Sequence, residues 1–118
     1  MRPAYAHEAV VVMDEGADEQ ALGGAITIAL CGHWTHEPPC PLAPHHTAAR
    51  REGNVVRLRV LFAAEPHDVR EVRSRIDAAL AGAEVATAKG TTRWRLRSTA
   101  PGTVQPDEAG KAERLVHS

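Results

Sequence analysis

The chain has 118 residues, a formal net charge of -1, two cysteines, seven histidines and only four aromatic residues. That length fits one domain whose core must be filled by aliphatic side chains. The near-neutral charge gives no global field for nucleic acid or a membrane surface, and no apolar run reaches the roughly 18 residues of a membrane span.

The N-terminus, Met1 to Glu8, lacks the charged-then-apolar plan of a signal peptide. The expected compartment is therefore the cytoplasm, where thiols stay reduced. Residues 1–6 read as a lead-in. Ala9-Val10-Val11-Val12-Met13 is a short β-branched run bounded by acids, which suits a first strand within His7 to Asp14. Asp14 to Gly24 is acidic and ends in two glycines. It has room for one helical turn at Ala17 to Leu22 but not for a full crossover helix with its loops. A hairpin into a second strand follows as the expectation. In that strand, Ala25 to Cys31, Ile26, Ile28 and Leu30 alternate with Thr27 and Ala29.

Cys31 to His46 is the densest chemistry in the chain. Both cysteines and four of the seven histidines fall in these 16 residues: Cys31, His33, His36, Cys40, His45 and His46. Pro38, Pro39, Pro41 and Pro44 stiffen the same stretch, so less chain entropy is lost when it closes on an ion. Cysteine binds a dication as thiolate and histidine as neutral imidazole, and about four such ligands make a tetrahedral site. The preferred set is Cys31, His33, Cys40 and one of His45 or His46, since adjacent side chains point apart. His36 is a spare ligand. Mixed thiolate and imidazole chemistry suits zinc first, with copper, nickel and iron behind it. Neither standard zinc-finger spacing occurs. A Cys31–Cys40 disulfide is the alternative in an oxidising compartment, and a plain proline-rich surface connection is the metal-free one.

Cys31-Gly32-His33 resembles the C-x-H half of a Rieske iron–sulfur site, a family in which two cysteines and two histidines hold a two-iron cluster. The family's second half is C-x2-H, well downstream. Here Cys40 is followed by His45 and lies close behind His33, so the spacing departs on both counts. The resemblance covers only this fragment and assigns no family.

Beyond the segment, Thr47 to Asn54 is polar and closes on a Gly53-Asn54 turn signal. Val55 to Phe62 is the clearest strand. Val56, Leu58, Val60 and Phe62 share one face, and Val55, Arg57, Arg59 and Leu61 the other. Pro66 opens a helix over Asp68 to Ala81. Val69, Val72, Ile76, Ala79 and Leu80 form its apolar stripe, Arg70, Arg73, Arg75 and Asp77 its wet side, and Gly82 its terminator. Ala83 to Thr92 is a small-residue connection with a Lys89-Gly90 turn. Arg93 to Thr99 is a last strand with Trp94 and Leu96 facing inward. Pro106 to Val116 can form a short helix in an otherwise flexible tail.

These elements predict an α+β fold, a four-stranded, mostly antiparallel sheet with one main helix on one face. If the turn at Ala17 to Leu22 becomes helical, the order approaches a ferredoxin-like variant. The Cys/His loop connects the second and third strands, residues 1–100 form the domain and residues 101–118 the tail.

Pairing of the first two strands about Glu19 would set His7 opposite Cys31 as a fifth ligand from outside the loop. His67 and His117 read as surface and tail residues. The outward residues Arg57, Arg59, Arg93, Arg95 and Arg97 predict a basic patch if their strands are neighbours. That patch suits an acidic partner protein or self-association, or is neutralised by Glu8, Asp14 and Glu15. With no aromatics on that face, nucleic acid is disfavoured.

The function expected from these residues is non-catalytic, a metal-binding accessory protein or a metal-stabilised partner-binding module. The alternatives are a metalloenzyme with an open zinc, iron or copper site, in which Glu37 acts as base, and a metal-free module working through its arginine face.

Overall fold

The computed structural model describes residues 2–31, 43–87 and 90–117. Its centre is β1 (Ala4–Met13), which begins earlier than the apolar run suggests. After it come α1 (Gln20–Cys31), β2 (His45–Glu52), β3 (Val55–Ala63), α2 (Val69–Ala81), β4 (Glu84–Thr87), β5 (Gly90–Gly102) and α3 (Ala109–Val116). The sheet is five-stranded, in the order β2-β3-β1-β5-β4, and every neighbouring pair is antiparallel. The α+β class and the antiparallel sheet hold. Three expectations do not: the strand number is five rather than four, the sheet carries more than one helix, and Ala25 to Cys31 is helical.

The helix α1 explains the largest difference. Alternation of Ile26, Ile28 and Leu30 reads as a strand, but Leu22, Ile26 and Leu30 are also spaced by four. All three are at most 1% exposed, and Ala21 and Ala25 are buried beside them. That is one helical stripe. The two glycines lie inside the helix rather than in a turn. A Cβ on Gly23 would meet Thr47 of β2 at 3.7 Å, so small residues here let α1 lie close to the strand. Packing has overridden helix propensity. The Asp18 carboxylate accepts the Gln20 N–H at 2.9 Å and starts the helix. Arg51 then ties the β1–α1 connection to the β2–β3 turn, donating to the carbonyls of Asp14, Ala17 and Gly53.

The Cys/His segment therefore joins a helix to a strand, and Thr47 to Glu52, expected as a polar exit, is most of β2. Gly53 turns the chain into β3 with φ +61, a conformation glycine adopts without strain. The loop and main helix after β3 fall where the sequence places them. Gly82 ends α2 in a right-handed conformation, and the left-handed residue is Ala83, with φ 63. The Trp94 indole in β5 donates to the Leu80 carbonyl at 2.8 Å and so caps the same helix end.

The core lies between the sheet and the pair α1 and α2. It contains Val11, Met13, Val56, Leu58, Val60 and Phe62 from the sheet and Leu22, Ile26, Leu30, Val72, Ile76 and Leu80 from the helices. The opposite face of the sheet is half covered. Helix α3 contacts β3 and β1, which accounts for the burial of the outward-facing Ala6 and Leu61. The tail residues 106–116 thus form packed structure.

Candidate functional site

Three constellations carry chemistry: the anchors of the Cys/His segment, a polar cluster around His7, and the arginines of the outer sheet face.

Of the six sequence-predicted ligands, His33, His36 and Cys40 lie outside the described residues, as do Trp34 and Glu37. Cys31 is the last residue of α1. His45 and His46 open β2. Both ends of the segment are therefore held by regular structure, where the sequence suggested only one. Among the described residues, no three His, Cys, Asp or Glu side chains are grouped in a way that could hold a metal.

His45 and His46 take opposite sides of the sheet, as successive strand residues must. The His45 ring faces α1. Its Nδ1 donates to the Ala43 carbonyl at 3.1 Å, since a carbonyl can only accept. The proton therefore sits on Nδ1, and Nε2 offers a lone pair. That atom lies 3.0 Å from Thr27 Oγ1, whose hydroxyl donates to it. A backbone carbonyl fixing the far ring nitrogen is the usual arrangement of a metal-binding imidazole. Thr27 precedes Cys31 by four residues, so the two positions share one face of α1, a turn apart.

His46 faces α3 instead. Its Nε2 accepts from Lys111 Nζ at 3.1 Å. Partial burial, and then the charges of Lys111 and Arg114, hold its pKa below the ordinary histidine value.

His7 is 2% exposed, the one polar residue that is fully buried among those described. It is not opposite Cys31: it pairs with Val60 in β3 and Pro101 in β5. The hairpin that would have made it a ligand is replaced by α1. Arg73 Nη1 donates to His7 Nδ1 at 3.0 Å and to the Ala6 carbonyl at 2.7 Å. A guanidinium has no acceptor, so the imidazole proton is on Nε2. Nε2 lies 2.8 Å from Asp77 Oδ1 and 2.7 Å from Thr99 Oγ1. The Thr99 hydroxyl in turn donates to Asp77 at 2.6 Å.

Arg73 also lies over the Phe62 ring, 5.4 Å from its centre, and Phe62 stacks on Tyr5. Burial pulls the Arg73 pKa below its ordinary value, and Asp77 and Tyr5 partly offset this. Arg73 and Asp77 were expected on the wet side of α2. They flank the apolar stripe and close over His7. The available signal was parity, because His7 alternates with Ala9, Val11 and Met13 on the core face. The cluster fastens α2 to β1 and β5 and leaves no ring nitrogen for a metal.

The five predicted arginines divide. Strands β3 and β5 are not neighbours; β1 separates them and brings Glu8 opposite Arg59. Arg59 bonds Glu8, Glu108 and the Thr103 carbonyl. Glu108, held chiefly by that Arg59 bond, titrates below the usual glutamate range. Arg93 pairs with Glu84 at 3.0 Å. Arg57, Arg95 and Arg97 remain exposed, and β2 adds Arg50. Of the other two histidines, His67 is exposed near Asp68 and His117 pairs with Glu113.

Comparison with family models, with curated proteins and with solved structures gives no match to this chain. No helix among the described residues is long and apolar enough to cross a membrane.

Proposed function

We propose that this chain is a small transition-metal-binding protein, a metal-binding accessory or metal-stabilised partner module, built on a ferredoxin-like variant with one added edge strand. The observation that carries the reading is His45. Its Nδ1 proton is committed to the Ala43 carbonyl, and its Nε2 lone pair is directed at the face of α1 that ends on Cys31. This favours His45 over His46, which is turned to the far side of the sheet. The ligand set is Cys31, His33, Cys40 and His45, with His36 in reserve. Two thiolates compensate a dication, and zinc is the first choice for such a set. His45 would hold such an ion through Nε2, the atom that now accepts from the Thr27 hydroxyl.

The test is metal content of protein purified without a histidine tag. Wild type is expected to hold about one zinc per chain. His45→Ala and Cys31→Ser lose it, whereas His46→Ala keeps it. Less than about 0.2 equivalents of any transition metal, with no thermal shift on added zinc or copper, overturns the reading. Loss in His46→Ala with retention in His45→Ala overturns the ligand set.

A further inference from the structure

Among the described residues, no helix covers the half of the outer sheet face away from α3. Val10, Val12 and Val55 are half-buried there, with exposed Arg50, Arg57 and Arg95 around them. Arg97 joins them at the β5 bulge opposite Val10 and Val11. Among the described residues, none of these four arginines has an ion-pair partner. Arg51, Arg59, Arg75 and Arg93 all do. Arg50 and Arg57 are directly opposed across the β2–β3 hairpin, and a like-charge cross-strand pair is destabilising. A groove of about 350 Å³ runs over the same strands, lined in part by Glu8, Val10, Ala48, Arg50, Arg57 and Arg59.

The chain itself demonstrates what covers such a face. Helix α3 lies on the other half, with Ala112 buried and Leu115 and Val116 half-buried. The acid just before it, Glu108, is bound to Arg59. An apolar stripe with an acid thus satisfies an apolar floor with an arginine. The open half repeats that floor and supplies four arginines that bond neither of its acids, Glu8 (held by Arg59) and Glu52 (opposite Val55).

We propose that this half is a docking surface for an acidic amphipathic helix of a partner protein, laid on the sheet beside α3. A second copy of the chain is the wrong occupant, because apposing this face with itself opposes arginine to arginine. Among the described residues, the face offers no aromatic side chain on which a base could stack. The surface is independent of the metal segment.

The probe is a fluorescent synthetic helix with leucine along one face and glutamate elsewhere, read by anisotropy against the untagged full chain. It should bind, and the double variant Arg57→Glu, Arg95→Glu should weaken it at least about tenfold. Arg70→Glu, an exposed arginine on α2, should not. Arg57→Gln gives a second readout: it should weaken binding while raising Tm, because it relieves the Arg50–Arg57 repulsion. Four outcomes overturn the proposal: no binding, equal binding of a peptide with the same composition but scattered leucines, tighter binding of oligouridine RNA, or a Tm that falls in Arg57→Gln.

Discussion

The ring nitrogens of His7 and His45 are used in opposite ways. His7 Nδ1 accepts from Arg73, and its Nε2 proton is shared between Asp77 and Thr99. His45 carries its proton on Nδ1 and keeps Nε2 as an acceptor. Both rings are bonded at both nitrogens, but His7 is fixed by Arg73 and Asp77, whereas the Nε2 of His45 meets the neutral hydroxyl of Thr27. Removing the acceptor from the His7 cluster should cost stability alone. Asp77→Ala is expected to lower the unfolding free energy by about 1–2 kcal/mol in urea titration, since His7 keeps Thr99 but loses a charged acceptor. Metal content should not change with it. That adjacent histidines diverge was legible from the sequence. Which of them faces α1 was not, because that requires β2 to be a strand and α1 a helix. The burial of His7 was legible in its parity; its partners were not, because Arg73 and Asp77 come from an element far along the chain.

At the level of elements, the strongly patterned segments were legible: β3, α2, and the inward Trp94 and Leu96 of β5. The missed ones share a cause. In α1 the apolar residues satisfy both a two-residue and a four-residue repeat, and only contact with α2 and β2 decides between them. In β2 the sequence His45 to Glu52 has almost no large apolar residue, so it is a strand through pairing with β3 rather than through burial. Helix α3 is short and marginal alone, and is held by the sheet face beneath it. Its anchor is the Glu108–Arg59 contact, which Gly102 assists. A Cβ there would come within 2.9 Å of the Glu8 side chain that also binds Arg59. The sign of the pH effect follows. Glu108 has a lowered pKa in the folded state, so its contribution is present above the ordinary glutamate value and is lost as pH falls through the folded one. Amide exchange in α3 should therefore rise relative to that in β3 when pH is lowered from about 5 to about 3. Glu108→Gln should remove most of that pH dependence. An unchanged ratio in wild type would show that α3 is held by its apolar contacts alone.

At the level of the whole molecule, the expected basic patch required the two arginine-bearing strands to be neighbours, and β1 lies between them. Outward parity alone put five arginines on one face. Strand order then decides their chemistry, because β1 inserts an acid beside one of them and α3 adds another. Sequence parity carries no information on strand order, so the division into paired and unpaired arginines appears only in the assembled sheet.

The central place of β1 also sets a schedule for the chain as it is made. β1 is synthesised first, yet its neighbours are β3 and β5, and the latter ends at Gly102. At about 5–20 residues per second, the interval between the two strands lasts roughly 5–20 s. Throughout it, the Val10-Val11-Val12 segment has at least one unpaired edge, the condition under which strands recruit foreign partners. Glu8, Asp14 and Glu15 flank that segment and serve as charged guards against such pairing. Nascent chains arrested with residues 1–87 outside the ribosome should accordingly remain protease-sensitive, and resistance should appear only once β5 has emerged. Protection of the shorter chain would mean that β1, β3 and the two larger helices form a stable nucleus without their last strand.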